Sequence, residues 1–285
     1  MVHSGKRESY LHVFTENLRE HWQNRTQIAR LSVADLKKTY HGAALGWSWA
    51  VIKPVFTIFI YWFAIDIGLR SGKAVNDYPY ILWLMSGIIP WFFMNEALTG
   101  GTDCIRGYSY LVTKMKFPVM TIPTFTNLSK LFVHICLIVA EVAVFWCAGY
   151  PPTVYMLQIP IYMLLMFLFF NAWSLFAGIV SAIGKDFSNL VRSLTVGVFW
   201  LSGIIWNVDN LTGPNATPTK QFLYKLMMLN PVTFISYGYR NAFLYKIWIW
   251  DQPKRLLYFL CWYVLLALLS LWAYRKLHKE VPDVL

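Results

Sequence analysis

The chain has 285 residues, of which 57% are hydrophobic and only 14% charged. Soluble domains carry about a quarter charged residues, so a water-borne globule is excluded. Apolar runs recur along the whole length, and the net charge of +11 has no soluble domain on which to gather. It therefore points away from nucleic acid and toward an anionic membrane leaflet.

Residues 1–26 are polar and basic and lack the apolar core of a cleavable signal peptide, so the first span is expected to direct insertion. From Gln27 to Tyr40 the pattern is amphipathic. Ala29, Val33, Leu36 and Tyr40 share a face, with Arg30, Lys37 and Lys38 largely opposite. This reads as a helix lying flat at the cytoplasmic interface; the alternative is a soluble helix packed on its own chain.

The first span is expected at Trp49 to Leu69, with Lys53 and Pro54 near its start, and the second at Tyr78 to Leu98. Thr99 to Pro123 is too polar to cross. The third span covers about Phe125 to Gly149 and the fourth Val154 to Ile183. Gly184-Lys185-Asp186 turns the chain into a fifth span at Leu190 to Trp206. Asn207 to Arg255 is too polar to span and too apolar to float in water, which suggests one or two short re-entrant helices whose ends are covered by protein. The sixth span is Leu256 to Tyr274. The fold class is thus all-α: a polytopic membrane protein of about six transmembrane helices, with a cytoplasmic segment at 1–44 and a transmembrane domain at 45–285.

Orientation follows from the basic residues. With the N-terminus inside, 17 of the 25 fall on inner segments: eight up to Lys53, four from Arg106 to Lys130, Lys185 with Arg192, and three in the tail. The short loops agree, so both termini are expected in the cytoplasm.

Residues able to carry chemistry are sparse. Gly178 to Gly184-Lys185 resembles a phosphate loop, but five residues separate its glycines and Asp186 stands where Ser or Thr should hold magnesium. No catalytic motif appears, no metal-spaced His/Cys cluster, and no CxxC among Cys104, Cys136, Cys147 and Cys261. The chain therefore reads as a non-enzyme without a cofactor or metal, any ATP and magnesium belonging to a partner. Asp66, Glu96, Lys130, His134 and Glu141 are ionisable within spans. His134 and Glu141, seven apart, share a face of the third span; a buried structural pair or a neutral carboxyl is favoured there over a proton relay.

Aromatics form a pattern. Tyr80, Trp83, Gly87 and Trp91 make one stripe on the second span, and Phe199 and Trp206 share a face of the fifth. Such rings can stack on sugars and so line a path. For any single ring, a lipid-facing belt or ordinary packing is the commoner explanation.

From Lys38-Thr-Tyr40 through Leu45-Gly46-Trp47-Ser-Trp49 to Pro54 the sequence resembles the polysaccharide-exporting permeases of ABC transporters (ABC-2 type). Gly87-Ile-Ile-Pro90-Trp91-Phe92, Lys114-Met-Lys-Phe117-Pro118, Leu201-Ser-Gly203-Ile-Ile-Trp206, Asn230-Pro231 and Gly238-Tyr239-Arg240-Asn241 follow in the same order. The stretch from Gly68 to Phe92, with Ser202 to Trp206, is most similar to teichoic acid translocation permeases. O-antigen and rhamnan-type exporters share the plan. Lys53 departs from the pattern, since relatives often carry an amide before the proline.

The resemblance implies a homodimer sharing one path, served by two ATP-binding subunits. It implies a coupling helix at about Asp103 to Val112, with Asp103, Ile105, Arg106 and Tyr108 fitted to the ATPase. The substrate would be an undecaprenyl pyrophosphate-linked polymer whose headgroup approaches Arg30, Lys37, Lys38 and Lys53 from the inner leaflet of the bacterial cytoplasmic membrane. The rival is a polytopic glycosyl or acyl transferase. That would need paired carboxylates, and Asp103 and Asp186 are isolated in the sequence.

Overall fold

The computed structural model describes residues 10–42, 44–69, 72–115, 117–213, 216–278 and 280–281, and the regular elements among them are all helical. Helix α4 (Tyr80–Gly107) is the axis of the bundle. It runs beside α7 (Ile159–Ile183), α6 (Ile122–Cys147), α10 (Pro231–Arg240), α8 (Lys185–Leu201) and α3 (Trp49–Trp62). Small residues bring α4 and α7 together: a Cβ on Gly101 would fall 2.0 Å from the Ser174 hydroxyl. In a bilayer, where lipid tails are as apolar as leucine, such close backbone approach drives helix association.

Among the described residues, five helical segments are long and apolar enough to cross a membrane: Gly46–Ile67, Tyr80–Gly107, Val119–Cys147, Val154–Ile183 and Pro253–Leu277, the last being α11. The expected fifth span at 190–206 is α8, which starts earlier, at Lys185, and stops at Leu201, giving 17 residues. The stop has a local cause: Gly203 adopts a left-handed φ of +62°, and the chain leaves the helix there.

The polar stretch after the second span also differs from expectation. No separate helix begins near Asp103, because α4 continues unbroken through Gly107. The chain bends at Tyr108, and a five-residue helix, α5 (Ser109–Thr113), follows. The polar residues of that last turn are held by neighbouring helices, so the segment extends the bundle.

Two helices precede the first span. α1 (Tyr10–Gln23) lies in a segment that reads in the sequence only as polar and basic. α2 (Arg25–Tyr40) packs on α6 through Ile28 and Ser32, and the sequence-expected apolar face is turned outward at Ala29 and Val33. One side of α2 therefore packs on the chain while its expected apolar face stays outward, and Asp35, which accepts from the Tyr108 and Ser129 hydroxyls, turns its own side of α2 inward.

Of the last loop, α9 (Pro218–Met228) sits on the surface with Met227 buried. α10 is buried along its length between α4, α7 and α11. Asn230 caps it by accepting from the Val232 amide at 2.9 Å, and Pro231 occupies the first turn, where its missing N–H costs nothing. The expected short helices of this loop are therefore present, one of them enclosed by protein as a polar backbone at membrane depth requires.

Candidate functional site

The C-terminal end of α2 and helices α3, α4, α6 and α8 enclose a cleft of about 620 Å³. At the end nearer α2 it is lined by Lys53, Lys130 and Arg192 together with Glu96. Farther along, the walls are Tyr61, Ile88, Trp91, Leu137 and Phe199. Glu96 and Ile88 are eight residues apart on α4, so polar and aromatic ends are separated by about 12 Å at 1.5 Å per residue. Phe199 ties the wall together, with ring centroids 5.4 Å from Tyr61 and 5.3 Å from Trp91. A smaller hollow of about 220 Å³, bordered by Asp35, Tyr40, Glu96, Ser129 and Lys130, adjoins the polar end.

Below that end lies a charged junction. The Asp103 carboxylate accepts from Arg192 at 2.5 Å, Ser188 at 2.8 Å and Arg106 at 3.1 Å. Arg106 also donates to the Ser181 hydroxyl. One carboxylate thereby joins the ends of α4 and α7 to the start of α8. Beside it, Tyr108 donates to Asp35, lies edge-on to Phe125 at 4.9 Å and carries the Lys38 ammonium over its face at 4.7 Å. Burial, and then the hydrogen bond to Asp35, push the Tyr108 phenol above its ordinary value, so it stays a donor.

The opposite end holds a second constellation. Arg240 is fully buried and has no carboxylate in ion-pair range among the described residues. It donates to the carbonyls of Gly203 at 2.8 Å and Ile204 at 2.6 Å, and its guanidinium lies 3.5 Å from the centroid of the Trp83 ring. Tyr80 donates to the Ile205 carbonyl at 2.6 Å, and Asn230 to the Ser202 hydroxyl at 2.8 Å. Arg240 and Tyr80 thereby satisfy the carbonyls freed where α8 unwinds, which an apolar environment would otherwise penalise. Gly87 leaves the necessary room, since a Cβ there would fall 2.3 Å from the guanidinium. The separate sequence fragments around Gly87, Gly203, Asn230 and Arg240 are thus one structural unit.

The residues singled out by sequence distribute as follows. Lys53, Trp49, Pro54, Trp91 and Phe199 meet in the cleft. Lys38 sits on Tyr108, while Arg30 and Lys37 are exposed outside the cleft. Tyr80 and Trp83 are buried in the Arg240 unit, and Trp206 donates to the Trp200 carbonyl at the unwound turn. Leu45 and Gly46 lead into α3 with Leu45 exposed. Ile105 is fully buried and Tyr108 nearly so, whereas Tyr110, Thr113, Lys114 and Met115 face outward at that end.

His134 and Glu141 do not pair. His134 Nε2 meets the Tyr239 hydroxyl at 2.8 Å, and the Glu141 carboxyl is buried without a hydrogen-bond partner among the described residues. Glu96 and Lys130 carried a signal in the sequence, a charge inside a span. Arg192 and Tyr61 carried none, because only the approach of α8 to α3 and α4 makes them part of a wall.

The described helices thus form a bundle with apolar helices long enough to cross a membrane and a cleft that runs from charged to aromatic side chains. Residues 26–244 match the ABC-2 type transporter family model, and the chain belongs to that family. It is similar to the O-antigen export system permease protein RfbA of Myxococcus xanthus, at 21% identity over 226 residues covering 79% of this chain and 83% of that one. Two proteins of the same name from Klebsiella pneumoniae are 22% identical. One aligns over 214 residues (74% of this chain, 77% of that one), the other over 255 residues (88% and 92%).

Proposed function

We propose that this chain is the permease subunit of an ATP-driven exporter that moves a lipid-linked cell-envelope polysaccharide across the bacterial cytoplasmic membrane. The observation that carries the reading is the cleft, with Lys53, Lys130 and Arg192 at one end and Tyr61, Trp91 and Phe199 beyond them. Cations suit a pyrophosphate headgroup, and aromatic faces suit sugar rings. A hydroxylated or charged polymer cannot cross about 30 Å of hydrocarbon unaided, because stripping water from each polar group costs several kcal/mol.

The relatives named as O-antigen permeases favour an O-antigen-type polymer. The teichoic acid specificity favoured by the sequence resemblance has no support among them. In the same reading the end bearing α1, α2 and α5 faces the cytoplasm, as the distribution of basic residues requires. The unit is a homodimer served by two ATP-binding subunits, which hold the ATP and magnesium. Exposure of Tyr110, Lys114 and Met115 at that end supports a contact with those subunits there. The transferase alternative loses ground because Asp35, the carboxylate sharing a hollow with Glu96, is already engaged by Tyr108 and Ser129.

The test is charge reversal at the cleft mouth. Lys53→Glu should lower polymer export strongly while the permease still inserts and co-purifies with an ATP-binding subunit. Export at the level of the unsubstituted chain would remove the cleft from the path, and failure to capture any such subunit would remove the ATP-driven reading.

A further inference from the structure

Helix α1 presents three distinct faces. Val13 is fully buried in the core cluster that includes Ile28, Tyr274 and Val281, and His21 meets the Thr124 hydroxyl at 2.7 Å. Taking Val13 as the origin and about 100° per residue, Asn17, Glu20 and Asn24 fall within about 40° of it, a face turned to the bundle. Phe14, Leu18 and Trp22 follow at about 100° to 180°. All three are exposed, Trp22 by 71%. The third face, at about 200° to 300°, is polar: His12, Thr15, Glu16, Arg19 and Gln23.

We propose that α1 is a lipid anchor, its Phe14–Leu18–Trp22 stripe lying in the boundary between headgroups and acyl chains of an anionic leaflet. A helix resting beside a bundle at a membrane surface needs these three faces, one for protein, one for hydrocarbon and one for water. A soluble partner approaching from the aqueous side would meet the polar face and leave the apolar stripe uncovered. Position agrees, because α1 packs on the end of α11 and on residues 119–121, where two spans terminate.

Charge agrees as well. The Arg25 guanidinium lies 4.8 Å from the Trp22 ring centroid, and in the last turn of the neighbouring α11 Lys276 lies 5.3 Å from that of Trp272. Each pair offers a ring to the interface and a cation to lipid phosphate. α2, expected from its sequence to lie on the membrane, has no comparable stripe: Val33 is its one exposed large apolar side chain. The inference needs the bundle to sit in a bilayer, but neither the polymer nor the ATPase of the preceding reading.

Spin labels test it on the whole permease in phosphatidylglycerol nanodiscs, with Cys136, Cys147 and Cys261 replaced by Ser. Labels at Leu18→Cys and Phe14→Cys should collide several-fold more with oxygen than with a water-soluble nickel chelate, and a label at His12→Cys, on the polar face, should show the reverse. Equal nickel access at 12, 14 and 18 would place the stripe in water and overturn the proposal. Shielding from both agents at 14 and 18 would mean a protein cover, a second copy included, and would overturn it too. In discs of phosphatidylcholine alone the oxygen preference at 18 should fall; a preference indifferent to lipid charge would refute the electrostatic part.

Discussion

The guanidinium of Arg240 lies over the Trp83 ring, 3.5 Å from its centroid, with both residues fully buried. Trp83 is therefore the seat of a buried cation. Its indole N–H also donates to the Tyr245 hydroxyl at 2.8 Å. Trp83→Ala should cost about 3–5 kcal/mol and reduce the yield of folded permease before any effect on transport can be read. Gly87→Ala should do the same by overpacking, at about 1–3 kcal/mol. Thermal unfolding in detergent with the yield of monodisperse protein measures both. Normal yield and midpoint for Trp83→Ala would show that the ring lines a path and not a core.

Asp103 and Arg192 supply a second test, separating stability from coupling between helices. The Arg192 side chain is 59% exposed, so Arg192→Ala should cost no more than about 1 kcal/mol. Asp103→Ala leaves Ser188 and Arg106 without their acceptor and should cost about 1–3 kcal/mol. In a double-mutant cycle the two should be non-additive, because they share one contact. Strict additivity would show that the 2.5 Å pair contributes nothing to holding α8 on α4.

Topology gives a third. Lys114 is exposed at the α1 end and Lys220 at the opposite end. In a background without the native exposed cysteines, Lys220→Cys should react with an impermeant thiol reagent on intact cells, and Lys114→Cys only after the membrane is opened. The opposite pattern would invert the molecule and move the cations of the cleft to the outer leaflet.

The attachment of α1 should depend on pH. Burial first, and the Glu16 carboxylate second, raise Glu20 to about 7, and one of its oxygens is buried without a partner among the described residues. A raised acid favours the protonated form in the folded state. Its contribution is complete below the ordinary value of 4.5 and is lost as pH rises from there through about 7. Burial lowers His21, so protonating it at acid pH opposes its contact with Thr124. Protection factors across residues 12–24, taken relative to the intrinsic base-catalysed exchange rate at each pH, should accordingly fall as pH rises through about 7, and Glu20→Gln should flatten that fall. Protection in Glu20→Gln that follows pH as the parent does would assign the dependence to another group.

The order and rough bounds of five of the six expected spans were legible in the sequence because each is a run of apolar residues near bilayer thickness, a local property. The place where α8 ends was not, since Leu201 to Trp206 is as apolar as a span. Only Gly203 and the distant donors Arg240 and Tyr80 show that the helix unwinds there. α1 escaped notice because its apolar residues Val13, Phe14, Leu18 and Trp22 serve two faces and so form no single stripe. Half of the cleft was legible, through Lys53, Trp91 and Phe199. Arg192 and Tyr61 were not, because their roles depend on which helices meet.

The most direct test of the central claim is the fate of the polymer when this chain is depleted from its host. Surface polysaccharide and lipid-linked polymer inside the cytoplasmic membrane would be quantified together. Loss of the former with accumulation of the latter, reversed by the parent chain and not by Lys53→Glu, is the predicted result. Surface polysaccharide undiminished after depletion, with no lipid-linked polymer building up inside, would contradict it.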